Sequence, residues 1–156
     1  MATNRVHALL EERAIPFEVH THERAVEAQR LAAAEGVSGW DVAKPVLLAI
    51  SGQLAMAVVP ASVHVDLAKA SEVLGHSEVR LATEDEFVAT FHDCEPGAEP
   101  PFGSLYGVPV FLDEKLRARE RIVCRDGSHT ESITLTVLDY LKVVDAEIVD
   151  ISTTPV

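Results

Sequence analysis

Between Asp93 and Asp113 the chain reads DCEPGAEPPFGSLYGVPVFLD, setting Gly97, Gly103 and Gly107 among Pro96, Pro100, Pro101 and Pro109. Proline fixes φ and removes a donor, while glycine opens positive φ and leaves no side chain in the way. A loop that interleaves them has its backbone path prescribed almost residue by residue. Any fold for this chain must deliver a helical pattern into one end of the loop and take an apolar strand from the other. Turn chemistry alone admits two uses: a long connection, or a rigid loop whose amides approach a ligand closely.

The length of 156 residues is that of one domain, taken here as 1–156, and is enough to bury a core without metal or disulfide support. The apolar runs LAMAVVPA and PVLLAI fall far short of the roughly 20 residues that cross a bilayer, so no membrane partner is expected. The first residues, MATNRVHALLEER, carry charge where a secretion signal needs an apolar block, and a cytoplasmic location follows as the expectation. Cys94 and Cys124 show neither CxxC pairing nor zinc-finger spacing, which suits a reducing compartment.

The net charge of −12 excludes general, sequence-blind nucleic-acid binding, and no DNA partner is expected. The basic residues are nonetheless uneven: Lys115, Arg117, Arg119, Arg121 and Arg125 follow directly on the loop. They form either a local contact for one phosphate end, with Lys115, Arg117 and Arg119 at its centre, or a solvated surface interleaved with Asp113, Glu114 and Glu120.

Val6, Leu9 and Leu10 recur at helical spacing between Thr3 and Arg13, with Thr3 as the N-cap. FEVHTH alternates as a strand, and the alanine-rich stretch from about Arg24 to Glu35 reads as a helix stopped by Gly36. Two apolar runs around Ser51-Gly52-Gln53 predict a hairpin. A helix ending at Gly75, a brief VRLA strand, and a Thr83/Glu86 capping box then lead into the loop. Beyond it come VPVFL as a strand, DEKLRARE as a charged turn or helical piece, ERIVC and SITLT as strands around the Asp126-Gly127 turn, a last helix opened by Thr136 and Asp139, and AEIVDI as a final strand. The sum is a mixed α/β domain built around hairpins, without the βαβα alternation of a doubly wound sheet.

Few residues stand out chemically. Lys44 sits at the mouth of the apolar strand VAKPVLLAI, where Pro45 holds it extended; it is either a snorkelling edge residue or a cation in a pocket. Gly127-Ser128-His129-Thr130 presents a histidine at a loop–strand junction, a substrate contact or a surface histidine. His20 and His22 share a strand face but have no carboxylate-rich partner motif close by in sequence, and no metal or cofactor is expected. His92 and Cys94 suggest a thiol nucleophile, although nothing in the surrounding sequence lowers the thiol pKa. No nucleophile elbow, phosphate-binding loop or dinucleotide fingerprint is present.

Lys44 within VAKPVLL, the Gly97-Ala98-Glu99-Pro100-Pro101 stretch as a G-x-x-x-P element, and GSHT followed by a strand and the helix LTVLDYLKVV occur in that order. Together they resemble the YbaK/prolyl-tRNA synthetase-associated editing domain family, over nearly the whole chain. The resemblance implies a compact α/β fold of the α+β type, with a mixed, curved, partly barrel-like sheet flanked by helices. It also implies a free-standing deacylase that hydrolyses the ester of mischarged tRNA, tRNA-Pro or a related tRNA carrying a small amino acid. Its partners would be the 3′ acceptor end of aminoacyl-tRNA and an aminoacyl-tRNA synthetase.

By that resemblance Lys44 holds the aminoacyl-adenosine end, and the Gly97 and Ala98 amides face the developing oxyanion, where preorganised dipoles act most strongly. Pro101, Phe102, Gly103, Ser128 and His129 then border the amino-acid pocket, and the substrate's own ribose hydroxyl helps activate the water. Pro45 and Phe102 depart from the family pattern, which bears on which amino acid is accepted. Because the loop acts through its backbone, Glu99→Ala is expected to be mild and Gly97→Val severe. Two other classes of function compete: a binding module that holds aminoacyl-adenosine, tRNA or a synthetase without turnover, and a cysteine hydrolase using Cys94.

Overall fold

The computed structural model describes residues 4–75 and 77–153. Helix α1 (Arg5–Glu12) is capped by Asn4, whose side-chain oxygen accepts from the amides of Val6 and His7. The expected cap, Thr3, lies outside the described residues. Strand β1 (Glu18–Thr21) follows, then α2 (Ala28–Glu35), closed by Gly36 in the left-handed conformation at φ 67°. Helix α2 starts four residues later than alanine content suggests, because the preceding backbone is tied elsewhere: the His22 and Ala25 amides donate to the carbonyls of Thr130 and His129.

A 3₁₀ turn at Gly39–Asp41 leads into β2 (Ala43–Ile50) and β3 (Gln53–Pro60), an antiparallel hairpin with Ile50 opposite Gln53. Its Ser51-Gly52 tip has positive φ at both residues, 49° and 81°, the twist that a two-residue hairpin turn needs. Pro45 is tolerated in β2 for a readable reason. The Leu47 carbonyl and Ser51 amide point away from β3, so the missing Pro45 donor does too. On that side β4 (Val79–Leu81) reaches only as far as Leu48, so no ladder bond is lost.

Helix α3 (Leu67–Val73) precedes β4, and α4 (Glu84–Phe87) carries the complete Thr83/Glu86 capping box. After the loop come β5 (Val110–Asp113), α5 (Glu114–Arg117), β6 (Arg121–Arg125), β7 (Glu131–Thr136), α6 (Val137–Val143) and β8 (Ala146–Val149). Thr136 caps α6 by accepting from the Asp139 amide.

The strands divide between two sheets: an antiparallel β1-β7-β6 and a mixed β4-β2-β3-β5-β8, in which β3, β5 and β8 run parallel. A parallel bridge between Val42 and Val123 joins them. The mixed α/β character is as expected, while the curvature resolves into two bridged sheets and not a closed barrel.

Alternation along the strands places the main core between the sheets. Leu47, Met56, Val58, Val110 and Leu112 meet Ile122, Cys124, Ile133 and Leu135, with Val6 and Leu10 of α1 and Tyr140 of α6 closing the ends. The opposite face of β2 and β3 packs a second cluster, Leu48, Ala57, Val59, Val63 and Ile151. Phe102 belongs to the main core and meets Tyr140 edge to face at 5.4 Å, so the loop is anchored through its own aromatic side chain.

Candidate functional site

Three segments converge at the turn between β6 and β7. The turn needs Gly127, at φ 111°, and it carries Ser128 and His129. The loop docks against it through the Glu95 amide, which donates to the Gly127 carbonyl at 2.8 Å. His129 is 1% exposed, and its Nε2 lies 2.7 Å from the Pro96 carbonyl. A carbonyl only accepts, so Nε2 carries the proton, and Nδ1 of the neutral ring is then an acceptor. The strap from His22 to Glu27 closes the third side through the Ala25 bond to His129 and through Arg125, whose guanidinium donates to the Val26 carbonyl at 2.8 Å.

Gly97 makes the closest approach to the histidine. Its φ is 86°, and a Cβ built there would stand 3.3 Å from His129 Cε1. The Gly97 amide donates to Glu99 Oε2 at 2.7 Å, and the Ala98 amide donates to the Glu95 carbonyl at 2.9 Å. Both amides expected to face an oxyanion are therefore already engaged within the loop. Glu99 is buried, and that burial raises its carboxyl pKa, with the backbone amides pulling the other way. Glu99, whose side chain was expected to matter less than the loop's backbone path, closes the loop onto itself through its carboxylate.

Buried polar atoms lacking a partner are informative because most such atoms are paired. Among the described residues these atoms are His22 Nε2, Arg125 Nη1, Asp126 Oδ1 and His129 Nδ1. Arg125, Asp126 and His129 belong to the end of β6 and its turn, and the His22 amide is bonded to the Thr130 carbonyl there. Burial lowers the Arg125 pKa against the opposing pull of Glu99, Asp126 and Glu95. A donor from Arg125 and an acceptor from His129 are left available beside the loop.

Lys44 lies on β2, and alternation puts it on the face with Val46 and Leu48. Its Nζ donates to the Val63 carbonyl at 2.5 Å, and burial lowers its pKa. Among the described residues no hydrogen bond or ion pair joins it to the loop or to His129. Ser128 Oγ accepts from the Thr130 amide at 3.0 Å and borders a cavity of about 220 Å³ shared with Asn4, Arg5, Cys94, Tyr106 and Asp126.

Several expected pocket residues are structural. Pro101 uses its carbonyl to accept from Tyr140 at 2.5 Å, Phe102 is fully buried in the core, and a Cβ on Gly103 would meet Val110 Cγ2 at 2.7 Å. They are recruited by the apolar space between the sheets. The basic cluster also fails to form one patch: Lys115 bonds Ser152 Oγ at 2.6 Å, Arg119 pairs with Asp41 at 2.6 Å, and Arg125 turns inward. Within that cluster Arg117 is exposed and makes no ion pair among the described residues. The Cys94 thiol is pushed up to about 12 by burial, while its contact with Tyr106 opposes the rise, and a thiol kept protonated is a poor nucleophile.

Glu99 and Arg125 were hidden from sequence reasoning because charged residues beside glycine, proline or a turn read as solvated. The one available signal was position: Arg125 immediately precedes the Asp126-Gly127 turn, and Glu99 stands inside the G-x-x-x-P element.

The chain is 32% identical over 120 residues to a proline–tRNA ligase of Shouchella clausii, covering 77% of this chain and 20% of that enzyme. It thus spans about a fifth of that relative's length. It is 27% identical over 151 residues to the multifunctional Ser/Thr-tRNA deacylase ProXp-y of Escherichia coli, covering 94% of this chain and 90% of that one. The crystal structure of a candidate trans-editing enzyme for prolyl tRNA synthetase superposes with a TM-score of 0.84 at 22% identity, covering 99% of both chains, which establishes the shared fold. A family model for the aminoacyl-tRNA editing domain matches residues 22–143, taking in the strap, Lys44, the loop and the turn together, and the chain belongs to the aminoacyl-tRNA editing domain family.

Proposed function

We propose that this chain, working over its length as one editing unit, is a trans-acting hydrolase that cleaves the ester between a small amino acid and tRNA, with tRNA-Pro or a related tRNA as the carrier. The observation that carries the reading is the family match across residues 22–143, which encloses Lys44, Gly97–Pro101 and Ser128–His129. The deacylase and ligase relatives point to the same substrate class. In the reaction water adds to the ester carbonyl, the ribose oxygen leaves and takes a proton, and free amino acid and tRNA result. A second site of this kind is needed because a synthetic pocket separates side chains differing by a methylene by only about 1–3 kcal/mol.

The residues divide the work. Lys44 holds the acceptor end, releasing Val63 to do so. Ser128 and His129 border the amino acid, and His129 Nδ1 offers an acceptor for its ammonium group. The Gly97 amide serves the oxyanion once Glu99 yields it. Affinity for tRNA draws on Arg117 and on Lys115 and Arg119 after they leave their partners, supplemented by a synthetase in the cytoplasm.

The engaged state of the Gly97 and Ala98 amides favours a second reading, a module that binds aminoacyl-adenosine without turnover. One experiment separates the two: a panel of mischarged tRNAs is incubated with the protein and with Lys44→Met. Deacylation of at least one member, reduced more than tenfold in the variant, supports the hydrolase. Retention of labelled aminoacyl-tRNA on a filter with the ester intact supports the binding module.

A further inference from the structure

We propose that His7, Asp126 and Glu131 form a binding site for a divalent transition metal, Zn²⁺ in the first instance, that clips α1 to the turn between β6 and β7. One ligand atom from each of the three residues lies within 4.8 Å of the other two. His7 Nε2 is 3.0 Å from Asp126 Oδ2 and 3.5 Å from Glu131 Oε1. Tetrahedral zinc with bonds of about 2.0–2.2 Å requires donor separations of about 3.3–3.6 Å, so both measured distances are within a few tenths of an ångström of that geometry.

The donor set of one imidazole and two carboxylates is zinc chemistry, and it leaves a fourth position for water or an exogenous ligand. The space for it exists: Asp126 and Glu131 both border the cavity of about 220 Å³.

A second observation points to the same ligand. Asp126 is 6% exposed, and its Oδ1 has no partner, although a buried carboxylate oxygen ordinarily has one. A cation beside Oδ2 adds positive charge to that buried carboxylate, whose Oδ2 is met by His7 while Oδ1 is left without a partner.

The site is also held in place. Asn4 caps α1, orienting His7 in the first turn, and its Nδ2 donates to the Asp126 carbonyl at 3.1 Å. Arg5, which also borders the cavity, is occupied elsewhere: it donates to the Leu105 carbonyl at 2.6 Å, lies 3.7 Å from Asp93 and stacks over Tyr106. Metal binding replaces the proton shared by His7 and Asp126, with no change of oxidation state.

This departs from the expectation that the chain holds no metal. Sequence spacing conceals the group, since His7 and Asp126 stand 119 positions apart. His20 and His22, the pair with a visible spacing, reach Glu35 only at 4.0 and 3.9 Å.

The test titrates the purified full chain with Co²⁺, read by visible d–d absorption, and with Zn²⁺, read by calorimetry and thermal unfolding. The expected result is one metal per chain, with Tm raised by about 5–10 °C at a hundredfold excess over Kd. His7→Gln and Glu131→Gln should each weaken binding at least tenfold, whereas His20→Gln should leave it unchanged. Histidine ¹⁵N spectra of the unmodified protein give a readout independent of the variants: the His7 ring resonances shift on adding Zn²⁺. The proposal is overturned by absence of a Co²⁺ band, by binding that survives both Gln variants, or by shifts at His20 and His22 in place of His7. Its outcome is independent of the deacylase reading.

Discussion

Replacing Gly97 with alanine tests whether the loop is fitted to His129 or merely strained. Two costs operate. The first is the positive φ of 86°, where an L side chain loses about 1–2 kcal/mol. Reduced freedom of the unfolded chain returns about 0.4–1 kcal/mol of that. The second is contact: the new methyl would stand 3.3 Å from His129 Cε1, 3.7 Å from Nε2 and 3.8 Å from Val26 Cγ1. His129 is held by its 2.7 Å bond to Pro96 and by burial, so it must shift by a few tenths of an ångström, which places the added cost near the low end of overpacking, about 1 kcal/mol.

Gly52 separates the two costs, because its φ is 81° and nothing lies within 4 Å of a Cβ there. Gly52→Ala should cost about 1 kcal/mol, and Gly97→Ala about 2 kcal/mol. For a chain of this size the corresponding Tm losses are about 2–4 °C and 4–8 °C. Urea unfolding of both variants measures the difference, and repeating the Gly97 substitution in a His129→Ala background should remove the excess. The reasoning fails if Gly97→Ala is no costlier than Gly52→Ala, or if the excess persists without the imidazole.

Glu99→Ala strips the acceptor from the Gly97 amide, which is exposed and can bond water in its place, and should cost about 0.5–1.5 kcal/mol in denaturant unfolding; a neutral result would mean that the Glu99 carboxylate does not hold the loop. Because burial raises the Glu99 pKa above 4.5, the folded chain holds that proton more tightly than the unfolded one, so the stabilisation is full below about pH 4.5 and is lost as pH rises through the raised value. Glu99→Gln cannot titrate and should gain on the wild type as pH rises above 4.5; a pH-independent difference refutes the assignment. Iodoacetamide at neutral pH should leave the folded protein's Cys94 unlabelled, and Cys94→Ser should deacylate within about twofold of wild type, whereas stoichiometric labelling with loss of activity would revive the thiol mechanism. A non-hydrolysable phosphonate analogue of aminoacyl-adenosine should move the Gly97 amide proton resonance and leave that of Gly52 in place; saturation without a Gly97 shift would remove this amide from the oxyanion role.

Local chemistry was readable wherever a short-range rule settled the outcome. The Thr83/Glu86 box, the Thr136–Asp139 cap and the Ser51-Gly52 turn all form from residues within a few positions of one another. Long-range demands were not readable. Alanine content favours a helix from Arg24, yet the His22 and Ala25 amides are committed to the turn before β7, and α2 waits until Ala28. Phe102 stands among glycines and prolines as a pocket wall would, but the space beside Tyr140 takes it instead. Arg125 belongs to a basic run in sequence, while the strand pleat and the Val26 carbonyl draw it inside.

The Glu99 carboxylate changes what the loop's rigidity is for. Glycine and proline prescribe a path, but a path alone does not determine the charge its amides favour. In the structure a carboxylate already sits on the Gly97 amide, and its charge is felt by the Arg125 guanidinium. A tetrahedral intermediate taking that place would exchange one negative oxygen for another, so the local field needs no reversal between the resting and reacting states. The cost of opening the bond then falls on moving Glu99 and not on reorganising the donors, which is the condition under which preorganised amides are effective.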